Sequence, residues 1–222
     1  MDKRDEFFDL YFKYNSDKNI DKEKVLKELT ELANSISSLK GWPEDKEKFW
    51  DVESYYWSLR FKGLDREFVI GKVNEHVGEK HLDLASGALP VNDSCVCLDL
   101  SPEMLDMIRT DQEKVQFDID SGKSFPFENC SFDSVSCVFI LNYIENLDAV
   151  VSEIYRVLKE DGKFIIVQSA KPLHELHLKQ EKHSVLYFED KLMEVLEDNN
   201  FFVQVENYEN NGNEFLFLVC NK

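Results

Sequence analysis

Cations are in short supply in this sequence. Its 26 Lys and Arg face 44 Asp and Glu, giving a formal net charge of −18. Phosphate contacts need clustered Lys and Arg, so the balance argues against RNA, DNA or anionic lipid as a partner and tolerates a cationic ligand. Long apolar runs are also missing: no stretch approaches the roughly 20 apolar residues of a membrane-spanning helix. The start, Met1-Asp2-Lys3-Arg4-Asp5-Glu6, lacks the apolar core and small-residue cleavage site of a secretory leader, which reads as a soluble cytoplasmic protein. No two cysteines are spaced CxxC. Cys95, Cys97, Cys130, Cys137 and Cys220 read as apolar thiols in a reducing compartment rather than as disulfides or metal ligands. Glycine and proline are sparse, 8 and 5 in 222 residues, and no repeat or low-complexity linker breaks the chain.

What is present is aromatic and periodic. Seventeen phenylalanines and 43% apolar residues suffice for the core of one α/β domain. Residues 1–64 read as helices, an N-terminal cap belonging to the same domain as the rest. Asp21 can cap a helix whose Val25, Leu26, Leu29, Leu32, Ala33, Ile36 and Leu39 recur at helical spacing, and Gly41-Trp42-Pro43 breaks it. A dense aromatic stretch, Phe49 to Trp57, follows. From about residue 65 to 222, strand and helix signals alternate, which implies a parallel sheet with covering helices. A helix at 65–78 leads to strands at 80–85, 94–99, 114–118, 133–139 and 163–168. Helices are expected after 139, closed by Asp161-Gly162, and near 188–198. The chain ends in two apolar runs joined through Asn211-Gly212, a strong hairpin signal.

The densest information runs from His81 to Phe132. Asp83-Leu84-Ala85-Ser86-Gly87 is an apolar strand with an acid, breaking into small residues. Cys95 to Asp99 is a second strand ending in an acid, and Ser101-Pro102-Glu103 then starts a helix with an N-cap and an early proline. Phe117-Asp118-Ile119-Asp120, Phe125-Pro126-Phe127 and Phe132-Asp133 follow. In open α/β sheets, acids at the carboxyl ends of strands meet ligands near the topological switch point.

This block resembles the cofactor half of class I S-adenosylmethionine-dependent methyltransferases, over roughly residues 65–220. The resemblance implies a Rossmann-like sheet, mainly parallel with a C-terminal antiparallel hairpin, and S-adenosylmethionine as cofactor. It implies that Asp83 orients the methionine amino group, that Gly87 lets backbone approach the ligand, and that Asp99 accepts both ribose hydroxyls. Ala85, Ser86, Leu100 and Met104 would line the same pocket. Asp118 would meet the adenine edge, with Asp120 as the alternative, and Ile119 would lie against the ring. Val138 and Phe139 would lie beneath the cofactor. Methyl transfer needs in-line alignment more than a strong base, so no catalytic residue is named. The acceptor is expected to be a small molecule, met by Asn142, Tyr143, His174 and Trp57.

The chain departs from that pattern in one respect. Only Ala88 to Ser94 separates Gly87 from Cys95, too little for the helix that the family carries there, and Pro90 disfavours one. The dipole and amides of that helix must be replaced or done without. Together with Ala85 and Leu89, which stand where the family has glycine, this leaves a non-catalytic methyltransferase-like scaffold or protein-interaction module as the rival reading. A nicotinamide-dependent oxidoreductase would need Gly-x-Gly-x-x-Gly, which residues 85–90 do not supply. His174-Glu175-Leu176-His177 reads as a polar loop beside the acceptor rather than as a metal site.

Overall fold

The computed structural model describes residues 2–63, 65–109, 111–169 and 189–222. They divide into two compact units, Met1–Glu53 and Ser54–Lys222.

The first unit is helical. Helices α1 (Lys3–Ser16) and α2 (Lys22–Asn34) each open on an aspartate whose side chain accepts a first-turn amide, Asp2 from Arg4 and Asp21 from Lys24. These caps satisfy donors that have no partner within the helix. The unit buries Phe7, Tyr11, Tyr14, Leu29, Ala33 and Trp42, and the rings of Phe7 and Tyr11 meet Trp42 edge-on at 5.2 and 6.0 Å. The Tyr11 hydroxyl donates to the buried Glu53 carboxylate. Helix α3 spans Lys46–Gly63.

The second unit is a seven-stranded sheet with helices. After α4 (Arg66–Asn74) come β1 (His81–Leu84), β2 (Val96–Asp99), α5 (Pro102–Met107), β3 (Lys114–Gln116), β4 (Phe132–Val138), α6 (Leu147–Val157), β5 (Leu158–Ser169), α7 (Glu189–Asp198), β6 (Phe202–Asn210) and β7 (Asn213–Asn221). The strand order is β3-β2-β1-β4-β5-β7-β6. Strands β1 to β5 pair in parallel, and β7 is antiparallel to both β5 and β6. Order reverses between β1 and β4, which opens a crevice at their carboxyl ends.

Strand alternation sorts the core onto two faces. Leu82, Leu84, Val135, Phe164 and Ile166 pack with Val151 and Ile154 of α6 and Leu196 of α7. Cys97, Ile165, Val167 and Phe217 pack with Val69 and Val73 of α4 and Leu105 of α5. Each such fully buried side chain contributes about 1.5–3 kcal/mol from area alone. The sheet and hairpin are those expected from the sequence. Asn211 and Gly212, at φ 48° and 74°, supply the two left-handed residues of a tight hairpin turn.

Local boundaries differ in three places. The helix expected at 65–78 stops at Asn74, where the Glu75 N–H turns back to Lys72 and Val73. Strand β3 ends at Gln116, so Asp118 lies in the following turn, where its carbonyl accepts from Ser121 N–H. Asp161-Gly162 does not close α6, which ends four residues earlier at Val157. It forms a bulge within β5 instead: Phe132 pairs with Leu158, but Ser134 already pairs with Lys163. Among the described residues, no helix is long and apolar enough to cross a membrane.

Candidate functional site

The turn after β1 is tied to the tip of β2. Ala85 and Gly87 both adopt left-handed backbone, at φ 54° and 59°. Ser86 N–H donates to the Leu98 carbonyl at 3.2 Å, and Gly87 N–H donates to Asp99 Oδ2 at 2.8 Å. Asp99 Oδ1 accepts from Ser101 N–H at 2.8 Å, and the side chain is 8% exposed. Ser101 Oγ caps α5 by accepting from Met104 N–H at 3.1 Å, with Pro102 next in line.

Gly87 itself is a bare backbone ledge. A Cβ built there would lie 3.6 Å from the Trp57 indole and 3.8 Å from Met104 Sδ. Trp57 belongs to the last turns of α3, and the neighbouring Tyr55 hydroxyl donates to Glu103 Oε2 of α5 at 3.3 Å. Ala85, Ser86, Gly87, Asp99, Met104 and Trp57 therefore gather at one place, with Leu100 next to Asp99 along the chain.

Ala85 holds a conformation that an L side chain disfavours by about 1–2 kcal/mol. Glycine would relieve that strain and lose roughly half of the gain to unfolded-chain entropy. Ala85→Gly is expected to raise stability by about 0.5–1 kcal/mol, read as a higher denaturant midpoint with an unchanged slope.

The other end of the crevice is built from β4 and the turn after β3. Val138 ends β4, whose Cys137 pairs with Leu84 of β1. Phe139 takes a left-handed φ of 59° and donates its N–H to the Val167 carbonyl at 2.8 Å. For a bulky residue this is a strained conformation, of the kind concentrated at functional sites. Asp120 accepts from Glu145 N–H and Asn146 N–H at 2.7 and 3.0 Å, so it braces the loop after β4. Asp118 accepts from Asp120 N–H at 3.0 Å, and Ile119 packs against the core. Asn142 and the buried Tyr143 lie in a short 3-10 turn, Leu141–Tyr143. His174 lies outside the described residues. Among the described residues, no group of three His, Cys, Asp or Glu is placed to hold a metal.

Asp83 sits deeper than the others. It is 2% exposed; Oδ2 accepts from Val91 N–H at 2.9 Å and Oδ1 from Ser136 Oγ at 2.7 Å. Sequence reasoning missed its companions. His81, one turn of the pleat earlier, is flanked by Ser134 Oγ at 2.7 Å on Nδ1 and Ser136 Oγ at 2.9 Å on Nε2. The signal was available: His81 and Asp83 alternate with Leu82 and Leu84, as Ser134 and Ser136 do with Val135 and Cys137.

Burial pushes the Asp83 carboxyl up to about 6 and the His81 imidazole down to about 4. Asp83 contributes stability that is complete below its ordinary 3.8 and is lost as the pH rises through about 6. His81 runs oppositely, complete above its ordinary 6.5 and lost as the pH falls towards 4. Between these values the two slopes cancel. His81→Gln removes one of them. Relative to the unsubstituted protein, that variant is expected to gain about 3 kcal/mol on acidification from pH 6 to 4, measured by chemical denaturation at each pH.

Comparison with known proteins adds a likeness over part of the chain. Residues 78–166 match the family model of the methyltransferase domain. Over that segment the chain is similar to methyltransferase domains. An uncharacterized methyltransferase of Bacillus subtilis, YcgJ, is 28% identical over 123 residues, 50% of this chain and 49% of that protein. A demethylmenaquinone methyltransferase of Leptospira interrogans is 34% identical over 109 residues, 41% of this chain and 44% of that protein. The chain thus spans about half the length of the curated relatives it matches. The crystal structure of YcgJ superposes with a TM-score of 0.55 at 18% identity, covering 70% of this chain and 97% of that one, a likeness of fold. The matched segment includes Gly87, Asp99 and strands β1 and β4.

Proposed function

We propose that this chain is an S-adenosylmethionine-dependent methyltransferase acting on a small-molecule acceptor. The observation that carries the reading is the Gly87–Asp99 bond at the switch point of the sheet. It holds a buried carboxylate beside a backbone ledge that has no side chain. A ligand with two vicinal hydroxyls and an amino-acid end suits that pair.

The residues fit the group. Asp99 would take the ribose hydroxyls, Gly87 would admit the chain of the ligand, and Met104 and Leu100 would give apolar contact. Asp118 would reach the adenine edge, and Asp120 would hold the loop amides of Glu145 and Asn146. When bound, S-adenosylmethionine supplies an electrophilic methyl on a sulfonium. The chain's own part is positioning: it orients the two reactants in line and keeps water from between them, which can supply much of the barrier reduction. Trp57, Asn142 and Tyr143 would form the acceptor side. Relatives named for menaquinone and ubiquinone methylation support an acceptor of small-molecule type. The thiols of Cys95, Cys97, Cys137 and Cys220, all buried, fit a reducing cytoplasm.

Isothermal titration with S-adenosylmethionine and S-adenosylhomocysteine tests the proposal. Micromolar binding of both, with a change in Trp57 fluorescence that Trp57→Phe removes, is the expected result. Absence of binding at millimolar ligand would leave only the scaffold reading.

A further inference from the structure

The methyltransferase domain lacks the helix between β1 and β2, and the sheet face it would have covered carries polar side chains. Crossovers between parallel strands are right-handed, so that helix would lie on the face shared by α4 and α5. His81, Asp83, Ser134 and Ser136 project to this face, because Leu82, Leu84, Val135 and Cys137 pack on the other. In its place runs the short segment after Gly87, over a cavity of about 430 Å³ lined by Arg66, Ala88, Leu89, Pro90 and the end of α5.

Hydrogen counting gives the polar row a direction. Gly78 N–H donates to Ser134 Oγ at 2.8 Å. Ser136 has one hydroxyl proton, and it goes to Asp83 Oδ1. The Ser136 oxygen must then accept from His81 Nε2, which puts the imidazole proton on Nε2. His81 Nδ1 is left bare and accepts from the Ser134 hydroxyl. Every donor in the chain Gly78–Ser134–His81–Ser136–Asp83 points the same way, and it terminates on a carboxylate whose other oxygen holds Val91 N–H in the contracted segment. Successive bonds aligned in one sense polarise each other and strengthen the last donor.

We propose that His81, acting through Ser136, is a positioning residue for the cofactor site: it holds the Asp83 carboxylate ionised against the Val91 amide and so fixes the Gly87 turn in place of the missing helix. The inference rests on the cofactor reading above. The titratable groups around Asp83 are Cys95, Cys97 and Asp99 on the β2 side and Arg66 on α4, besides His81 itself, with Cys137 of β4 on the opposite face of the sheet. Asp99 disfavours the ionised carboxyl and Arg66 favours it. A neutral Asp83 would hold Val91 with a weaker, uncharged acceptor, and burial brings that change near pH 6.

Two measurements decide. In the first, nitrogen-15 NMR of the histidine-labelled full chain locates the His81 proton. A neutral ring protonated on Nε2 from pH 7 to 8, where Asp83 is ionised, supports the relay, and a proton on Nδ1 or a charged ring in that range overturns it. In the second, S-adenosylhomocysteine is titrated at pH 5 to 8 into the unsubstituted protein, His81→Phe, His81→Gln and Ser136→Ala. At pH 7.5 His81→Phe and Ser136→Ala are expected to bind at least tenfold more weakly. His81→Gln, which keeps a donor towards Ser136, is expected within threefold. Affinity of the unsubstituted protein is expected to fall below about pH 6, and Ser136→Ala to move that inflection upward. A purely structural row would lower thermal stability and leave the inflection in place, which overturns the proposal, as does His81→Phe binding within twofold. Should His81→Phe not fold, Ser136→Ala and His81→Gln carry the same decision. If the unsubstituted protein binds no nucleoside, the cofactor reading and the positioning role both fall, while the NMR result still stands for the relay.

Discussion

Asp99→Ala is expected to weaken S-adenosylhomocysteine binding at least 100-fold. The carboxylate ends β2, is 8% exposed, and holds Gly87 N–H and Ser101 N–H at 2.8 Å each. Hydrogen bonds to a charged group contribute about 1.5–3 kcal/mol each, and two ribose hydroxyls would be lost together. Even the lower bound for two bonds, about 3 kcal/mol, is a hundredfold in affinity. Alanine also strands two buried amides, which costs about 1–3 kcal/mol of fold stability per orphaned group. Asp99→Asn separates the effects. It keeps an oxygen for one amide and removes the charge, so its midpoint of unfolding is expected between those of Asp99→Ala and the unsubstituted protein. Its affinity is expected to stay closer to that of alanine. The check is calorimetric titration alongside denaturation of all three. Asp99→Ala binding within fivefold would remove the ribose role from this residue.

Much of the architecture was legible because it depends on local pattern. Alternation in residues 80–85, 94–99 and 133–139 marks strands, helical spacing from Leu147 to Leu158 marks α6, and Asn211-Gly212 marks the hairpin. Asp99 was legible for the same reason: an acid at the end of an apolar run, followed by Ser101-Pro102, needs no distant information. What stayed hidden depends on partners far along the chain. Asp161-Gly162 has the composition of a helix stop, yet its role is set by Phe132, which pairs with Leu158 and shifts the register. Asp83 takes its partners from Val91 and from Ser136, a residue 53 positions away. Asp118 reads as the better match to the adenine edge, but the contacts of Asp120 with the amides of Glu145 and Asn146, some 25 residues on, could not be read locally. Trp57 shows a third case. The aromatic stretch from Phe49 to Trp57 reads alike along its length, and only the fold puts the Trp57 indole beside Gly87 while Phe49 is buried in the helical unit.

Gly87→Val is the second substitution with a large expected effect, and its two consequences can be told apart. At φ 59° a β-branched residue is far from its preferred backbone, and the strain is about 1–2 kcal/mol or more. For a unit of this size, that lowers the melting temperature by roughly 2–8 °C. The steric consequence is separate. The added Cβ would have ordinary contact with Trp57 and Met104, at 3.6 and 3.8 Å, so alanine fits but the branches of valine reach into the space above the ledge. Gly87→Ala is therefore expected to carry most of the strain with a modest loss of S-adenosylhomocysteine affinity. Gly87→Val is expected to carry similar strain and lose binding by 100-fold or more. The comparison isolates occlusion from strain because φ is common to both variants. If the two lose affinity in equal measure, the ledge acts through backbone conformation alone, and ligand does not lie across Gly87. Adding Trp57→Ala to Gly87→Val gives the indole's share. Residues in direct contact couple by about 0.5–3 kcal/mol. Partial recovery of affinity in the double variant is expected if the indole, rather than Met104, confines the valine branches.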